Sequence, residues 1–210
     1  ANGAEAEIKA SSDDDISPFF KGGNKDRIFA MVLLAAPSNG TTAYDMYEDP
    51  SFDVSSIEIA EKYVKAGETM SKGTKAKLDS RIKEDYASYD MHIDNAYAFN
   101  EKITTFDDVY YFSYPCSTTI IAENGEKAPD EEITESLFMR SAILMSKYSG
   151  TTRGGIVIDE TWQSNDGLVN EVSAMAPSSA PATQYEAGAD LVPGVYYVMP
   201  TSVGDHMYFQ

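Results

Sequence analysis

The chain has 210 residues, 42% of them hydrophobic, which is enough for one sizeable core, and 34 acidic against 16 basic residues give a net charge of −18. That charge repels nucleic-acid phosphates and anionic membrane surfaces and argues against both as partners. The single cysteine, Cys116, excludes an internal disulfide and a cysteine-rich metal site.

Residues 4–26 are polar, with Asp13-Asp14-Asp15 and Gly22-Gly23, and read as a connecting loop. The aspartates lack the alternating spacing of an EF-hand and read as solvated rather than calcium-binding. Residues 28–36 are a continuous apolar run stopped by Pro37-Ser38-Asn39-Gly40, the pattern of a buried strand in a parallel sheet. From 51 to 105 the pattern changes to a helical insertion. Ile57, Ala60, Tyr63, Val64 and Met70 share one face of a helix predicted over 51–72, with Glu58, Glu61, Lys62 and Lys65 opposite. Such spacing describes a mobile cover over a pocket and an ordinary packed surface helix equally well. Charged helix formers over 75–86 and a short helix over 94–103 follow.

Val109-Tyr110-Tyr111-Phe112-Ser113-Tyr114 is aromatic and predicts a second strand. Residues 115–130 read as a loop. Asp130-Glu131-Glu132 then open a helix carrying Ile133, Leu137, Leu144, Met145 and Tyr148, because acidic residues suit the positive N-terminal end, and Gly150 closes it. Residues 154–162 approach Asp166 through turns, 177–193 read as an exposed loop, and 194–199 are the last strand. Strands separated by helices predict an α/β sheet covered on both faces.

Two residues stand out at the ends of this pattern. Asp166 lies in Asn165-Asp166-Gly167, and His206, one of only two histidines, follows the last strand. A carboxylate and then a histidine, each beyond a strand, are the last two members of a Ser…Asp…His triad in α/β-hydrolase order. The nucleophile motif of that fold, Gly-x-Ser-x-Gly, occurs nowhere in the 210 residues. Taken alone, Asp166 is also an ordinary Asp-Gly turn residue, and His206 an ordinary residue opening a packed helix. Asp205 reads as a loop hydrogen-bonding residue, since neighbouring side chains diverge. Cys116 reads as a small, partly buried residue, because no matched histidine and asparagine make it a nucleophile.

Four segments in order resemble the thermostable Bacillus-type and staphylococcal lipases: Leu34-Ala35-Ala36-Pro37-Ser38-Asn39-Gly40-Thr41-Thr42, then Tyr89-Asp90-Met91, then Asn165-Asp166-Gly167-Leu168-Val169-Asn170 with Ser173, Met175 and Pro177, then Asp205-His206. The Asn-Asp-Gly block is the most specific. The resemblance implies a secreted α/β-hydrolase cleaving ester bonds of acylglycerols or related lipid esters. This chain would be the C-terminal part of its sheet, a partial domain over 1–210 with residues 43–105 as the helical lid or cap and a transient lipid interface beneath that lid. Asp166 would be the triad acid and His206 the base. The serine would lie upstream of Ala1 or on a second chain. Asp90 would be one ligand of a structural zinc site built from two aspartates and two histidines. A calcium site of the family uses a carboxylate two residues after the triad histidine; here that residue is Tyr208, so calcium is not expected. A catalytically inactive hydrolase-like binding module and a metal-binding scaffold are the alternative readings.

Overall fold

The computed structural model describes residues 25–67 and 87–209. The loop containing Asp13, Asp14 and Asp15, Met70 and the helix expected over 75–86 lie outside the described residues. In chain order the strands are β1 (Ala30–Leu34), β2 (Tyr110–Tyr114), β3 (Cys116–Ser117), β4 (Thr119–Ile121), β5 (Lys127–Pro129), β6 (Gly150–Thr151), β7 (Val157–Ile158), β8 (Ala182–Gln184), β9 (Tyr196–Val198) and β10 (Ser202–Val203). The helices are α1 (Thr42–Glu48), α2 (Ala87–Asp90), α3 (Ile93–Asn100), α4 (Ser136–Lys147) and α5 (Glu171–Met175).

A four-stranded parallel sheet in the order β1-β2-β9-β8 carries the architecture. Because side chains alternate along a strand, its two faces differ. On one, Leu33, Tyr111 and Tyr196 join Val109 in a buried cluster, and the Tyr111 and Tyr196 rings lie 4.8 Å apart. On the other, Val32 and Leu34 are 53% and 50% exposed. The buried strand expected from the apolar run 28–36 is therefore buried on one face only. Among the described residues β1 is one edge of the sheet and β8 the other, and the second face of β1 is uncovered.

The larger cluster lies between helices. Met46 of α1, Ile93 of α3, Leu144 and Met145 of α4, and Tyr148, Ile158 and Trp162 are all buried together. Truncating one such side chain, Leu144→Ala, costs on the order of 2–5 kcal/mol. Thr41 starts α1 as its cap, its hydroxyl accepting from the Ala43 N–H at 3.1 Å, which satisfies a donor that the first turn leaves free.

Several local expectations are corrected. Residues 51–60 are not part of a helix over 51–72. The Asp53 carboxylate accepts from the Ser55 N–H at 3.0 Å and fixes a tight turn at Val54–Ser56, a local bond that competes with helix formation. Beyond it Ile57 and Ile59 pack toward the helical cluster while Glu58 and Ala60 face out, a period of two rather than 3.6. Helix begins at 61, and Tyr63 is buried in the stretch 61–67. Residues 115–130 are not a loop: β4 and β5 form an antiparallel hairpin around Asn124-Gly125, with Gly125 at φ +82°, the sequence that tight hairpin turns favour. The loop expected over 177–193 contains β8, which pairs in parallel with β9. Finally α4 starts at Ser136 rather than at Asp130, whose backbone oxygen accepts from Thr134 N–H and Oγ1–H in a preceding turn, and Ile133 stays exposed.

Candidate active site

The turn that holds Asp166 is built before the aspartate does anything. Asn165 is fully buried, donates from Nδ2 to the Gln163 carbonyl at 2.9 Å and Ser146 Oγ at 3.1 Å, and accepts the Gly167 N–H at 2.8 Å. Gly167 sits at φ +93°, and a Cβ there would come within 2.6 Å of the Phe138 Cβ on α4, so only glycine fits. Asn170 closes the turn. Its Oδ1 accepts the Thr42 N–H at 2.9 Å, and its Nδ2 donates to the Trp162 carbonyl and to Thr42 Oγ1. Ser173 Oγ donates to the Gly40 carbonyl at 2.6 Å and accepts the Asn39 N–H at 2.9 Å, and Thr41 Oγ1 donates to the Leu168 carbonyl at 2.6 Å. The two motif segments 34–42 and 165–177 thus form one interlocked, buried polar knot, in which every bond leaves the turn less free to move.

Within that knot Asp166 is fully buried. One carboxylate oxygen, Oδ1, accepts the Leu168 and Val169 N–H groups at 2.9 and 2.7 Å. The other, Oδ2, lies 2.8 Å from Nδ1 of His206. A second bond locks the two segments together: the His206 backbone N–H donates to the Asp166 carbonyl at 2.9 Å. The His206 side chain is 28% exposed, and its Nε2 has no hydrogen-bond partner among the described residues. Phe138 lies edge-on to its ring at 6.3 Å. The hydrogen bond to Asp166 raises the histidine's pKa above its ordinary 6.5, desolvation opposes this, and the negative charges of Asp166 and Asp205 add to the rise. A carboxylate on Nδ1 fixes the tautomer that leaves Nε2 as the free, proton-accepting nitrogen.

No protein-family model matches the chain. The lipase of Staphylococcus hyicus is 29% identical over 216 residues, covering 92% of this chain and 32% of that protein. Lipase 1 of Staphylococcus aureus is 25% identical over 230 residues, covering 99% and 32%. The chain is a homologue of the staphylococcal lipases. This lipase homologue spans about a third of the length of the curated relatives it matches, 32% in each case. The structure of EstA from Clostridium botulinum superposes with a TM-score of 0.70 at 25% identity, covering 93% of this chain and 52% of that one. The crystal structure of the S. hyicus lipase superposes with a TM-score of 0.62 at 22% identity, covering 95% and 54%. Both share with the lipase homologue the mixed α/β architecture around a parallel sheet.

The other residues singled out by the sequence are spread apart. Asp90 ends α2 with an exposed side chain. Among the described residues no group of three or more His, Cys, Asp and Glu is arranged to hold a metal. Cys116 is buried, and desolvation together with nearby carboxylates pushes its thiol up to about 12, so it stays protonated and unreactive. Asp205 turns away from His206 Nδ1, its carboxylate accepting the Glu135 and Met207 N–H groups at 2.8 and 2.9 Å. The chain after His206 is a turn, not the expected helix. A cleft of about 510 Å³ lies elsewhere, lined by Asp45, Glu48, Asp49, Tyr89, His92 and Arg153 among others. One contributor to the Asp166 site, Phe138, and the role of three others lie outside the sequence reading. Phe138 was one buried position among many in a helix, and the hydrogen-bonding work of Thr42, Asn170 and Ser173 was visible only as motif membership.

Proposed function

We propose that this chain supplies the acid and the base of a serine carboxylic-ester hydrolase acting on acylglycerols or related lipid esters. Asp166 is the acid, His206 is the base, and the nucleophilic serine comes from a Gly-x-Ser-x-Gly segment outside these 210 residues. The observation that carries the reading is the 2.8 Å contact between a fully buried carboxylate and the Nδ1 of a partly exposed histidine whose Nε2 stays open. Homology to proteins named as lipases points the same way.

In this reading the serine hydroxyl proton passes to His206 Nε2 as the serine oxygen bonds to the ester carbonyl. Asp166 stabilises the imidazolium that results without taking the proton. Collapse of the tetrahedral intermediate breaks the C–O bond, and the proton moves from Nε2 to the leaving alcohol. Water then attacks the acyl-serine with His206 again as base, and the fatty acid leaves. Backbone N–H groups from the same outside segment hold the oxyanion.

Residues 43–105 act as the cap over the acyl pocket, with a lipid surface as the transient partner. The exposed face of β1, with Val32 and Leu34 half-exposed, receives the nucleophile-bearing part of the fold. The protein works outside the cell. No helix among the described residues is long and apolar enough to cross a membrane.

The test is turnover of p-nitrophenyl butyrate and of emulsified tributyrin by the protein together with its Gly-x-Ser-x-Gly segment. His206→Ala abolishes both activities while the fold survives. Undiminished turnover in that variant, or no ester turnover in the unaltered protein, overturns the reading, and the second outcome favours a hydrolase-like binding module.

A further inference from the structure

His206 sits on a short connection after β10, and a short connection does not by itself hold a ring to a fraction of an ångström. Four tethers surround it. Gly204 N–H donates to the Ser117 carbonyl at 3.0 Å, continuing the β10–β3 pairing. The His206 N–H donates to the Asp166 carbonyl, and Nδ1 meets the Asp166 carboxylate. The fourth tether is the Asp205 carboxylate, a side chain only 6% exposed. Its Oδ2 accepts the N–H of Glu135, the residue that caps α4, and its Oδ1 accepts the N–H of Met207. Glu135 makes no side-chain cap of its own, so the acidic group at the head of α4 comes from 70 positions away along the chain.

We propose that Asp205 is a positioning residue for His206: by tying the residue before the histidine to the N-cap of α4, and the N–H of the residue after it to the same carboxylate, it fixes the ring against Asp166 and Phe138 and aims Nε2. The inference rests on the catalytic role proposed above for His206. α4 is also the helix that presents Phe138 both to the imidazole and to Gly167. One helix therefore references both the acid's turn and the base's loop, and the Asp205 carboxylate is the link between that helix and the base. The charge acts with the geometry. The titratable groups around His206 are Asp166 from the facing turn, Asp205 from its own segment, and the buried Cys116 thiol, which donates to the Gly204 and Asp205 carbonyls at 3.1 and 3.5 Å and stays neutral; the Glu135 side chain at the head of α4 is exposed. Asp205 thus adds negative charge near the imidazolium without touching the ring.

The test is Asp205→Asn, which keeps the shape and one acceptor but removes the charge and turns one amide contact into a donor–donor clash. Two measurements are made side by side. The imidazole resonances are titrated by NMR in the protein with its Gly-x-Ser-x-Gly segment, with His206→Gln used to assign the His206 signals. The pH profile of kcat/KM for p-nitrophenyl butyrate is recorded for the protein with its Gly-x-Ser-x-Gly segment. The His206 midpoint falls, the acid limb of kcat/KM moves to lower pH with it, and kcat drops by roughly 10- to 100-fold with little change in KM, the scale of a misaimed catalytic group. If the variant does not fold, Asp205→Ser, a smaller neutral acceptor, replaces it. An unmoved midpoint with unchanged kcat, whatever the change in melting temperature, overturns the proposal and leaves Asp205 as a helix cap only. A midpoint that falls in a protein without ester turnover upholds the tie between Asp205 and His206 while refuting the hydrolase reading.

Discussion

Replacing Asp166 by asparagine changes one atom, and the structure dictates which way the new amide points. The Oδ1 position receives two backbone N–H groups, from Leu168 and Val169 at 2.9 and 2.7 Å. An NH2 placed there would face two donors, each conflict costing on the order of 1–3 kcal/mol. The carbonyl oxygen therefore keeps that position, and the NH2 takes the place of Oδ2, 2.8 Å from His206 Nδ1. It then donates to Nδ1, which must become the acceptor, so the ring proton moves to Nε2. The nitrogen that should take the serine proton already carries one. The expected loss is roughly 10³ to 10⁴ in kcat, the scale for this substitution in serine proteases, with KM and the fold little changed. Loss of the hydrogen-bonded carboxylate also lowers the His206 midpoint, since that bond is the first cause of its elevation. Stopped assays on p-nitrophenyl butyrate give kcat, and 15N chemical shifts of the imidazole give the tautomer. A variant within about tenfold of the parent, or one that keeps the Nδ1–H tautomer, refutes the reasoning.

Three further outcomes follow from the same geometry. Asn170→Ala strips the partners from the buried Thr42 N–H and Trp162 carbonyl and lowers unfolding free energy by about 2–4 kcal/mol, read as a shift of the urea midpoint at constant slope; a loss under about 1 kcal/mol contradicts the knot. Gly167→Ala forces φ +93° on a residue with a Cβ 2.6 Å from Phe138, costing about 2–4 kcal/mol from backbone strain and overpacking; a melting temperature within two degrees or so of the parent would show that the site is loose. His206 has a raised pKa in the folded state, so its contribution to stability is complete below the unfolded value near 6.5 and is lost as pH rises through the higher folded value. His206→Gln therefore flattens the decline in stability above pH 6.5, and an unaltered pH curve means that the Asp166 contact is not formed.

Much of this arrangement is legible in the sequence, and the failures share a cause. β1, β2 and the last strand announce themselves because continuous apolar or aromatic runs have few alternatives once they must be buried. Leu144, Met145 and Tyr148 likewise mark α4 by spacing alone. The pairing of Asp166 with His206 was expected from order along the chain and from the motif around each, not from periodicity. The stretch 51–60 was misread because Ile57, Ala60 and Tyr63 satisfy a helical period by coincidence while the Asp53 side chain holds a turn that such a period ignores. The hairpin β4–β5 was overlooked although Asn124-Gly125 signals it, since polar residues dominate the segment. β8 escaped because all three of its residues are exposed, and its place is decided by pairing with β9, a tertiary choice that local sequence does not encode. The one-sided burial of β1 is of the same kind: an apolar strand looks alike whether its second face meets a helix of these residues or something beyond them.

The most direct test of the central claim is labelling of the natural protein with a fluorophosphonate that reacts only with an activated serine, followed by intact-mass analysis and repeated with His206→Ala. A single adduct on a Gly-x-Ser-x-Gly serine, forming at least about 10³-fold more slowly in the variant, is the predicted result. No adduct, or one that forms at the same rate without His206, would contradict the assignment of Asp166 and His206 to ester hydrolysis.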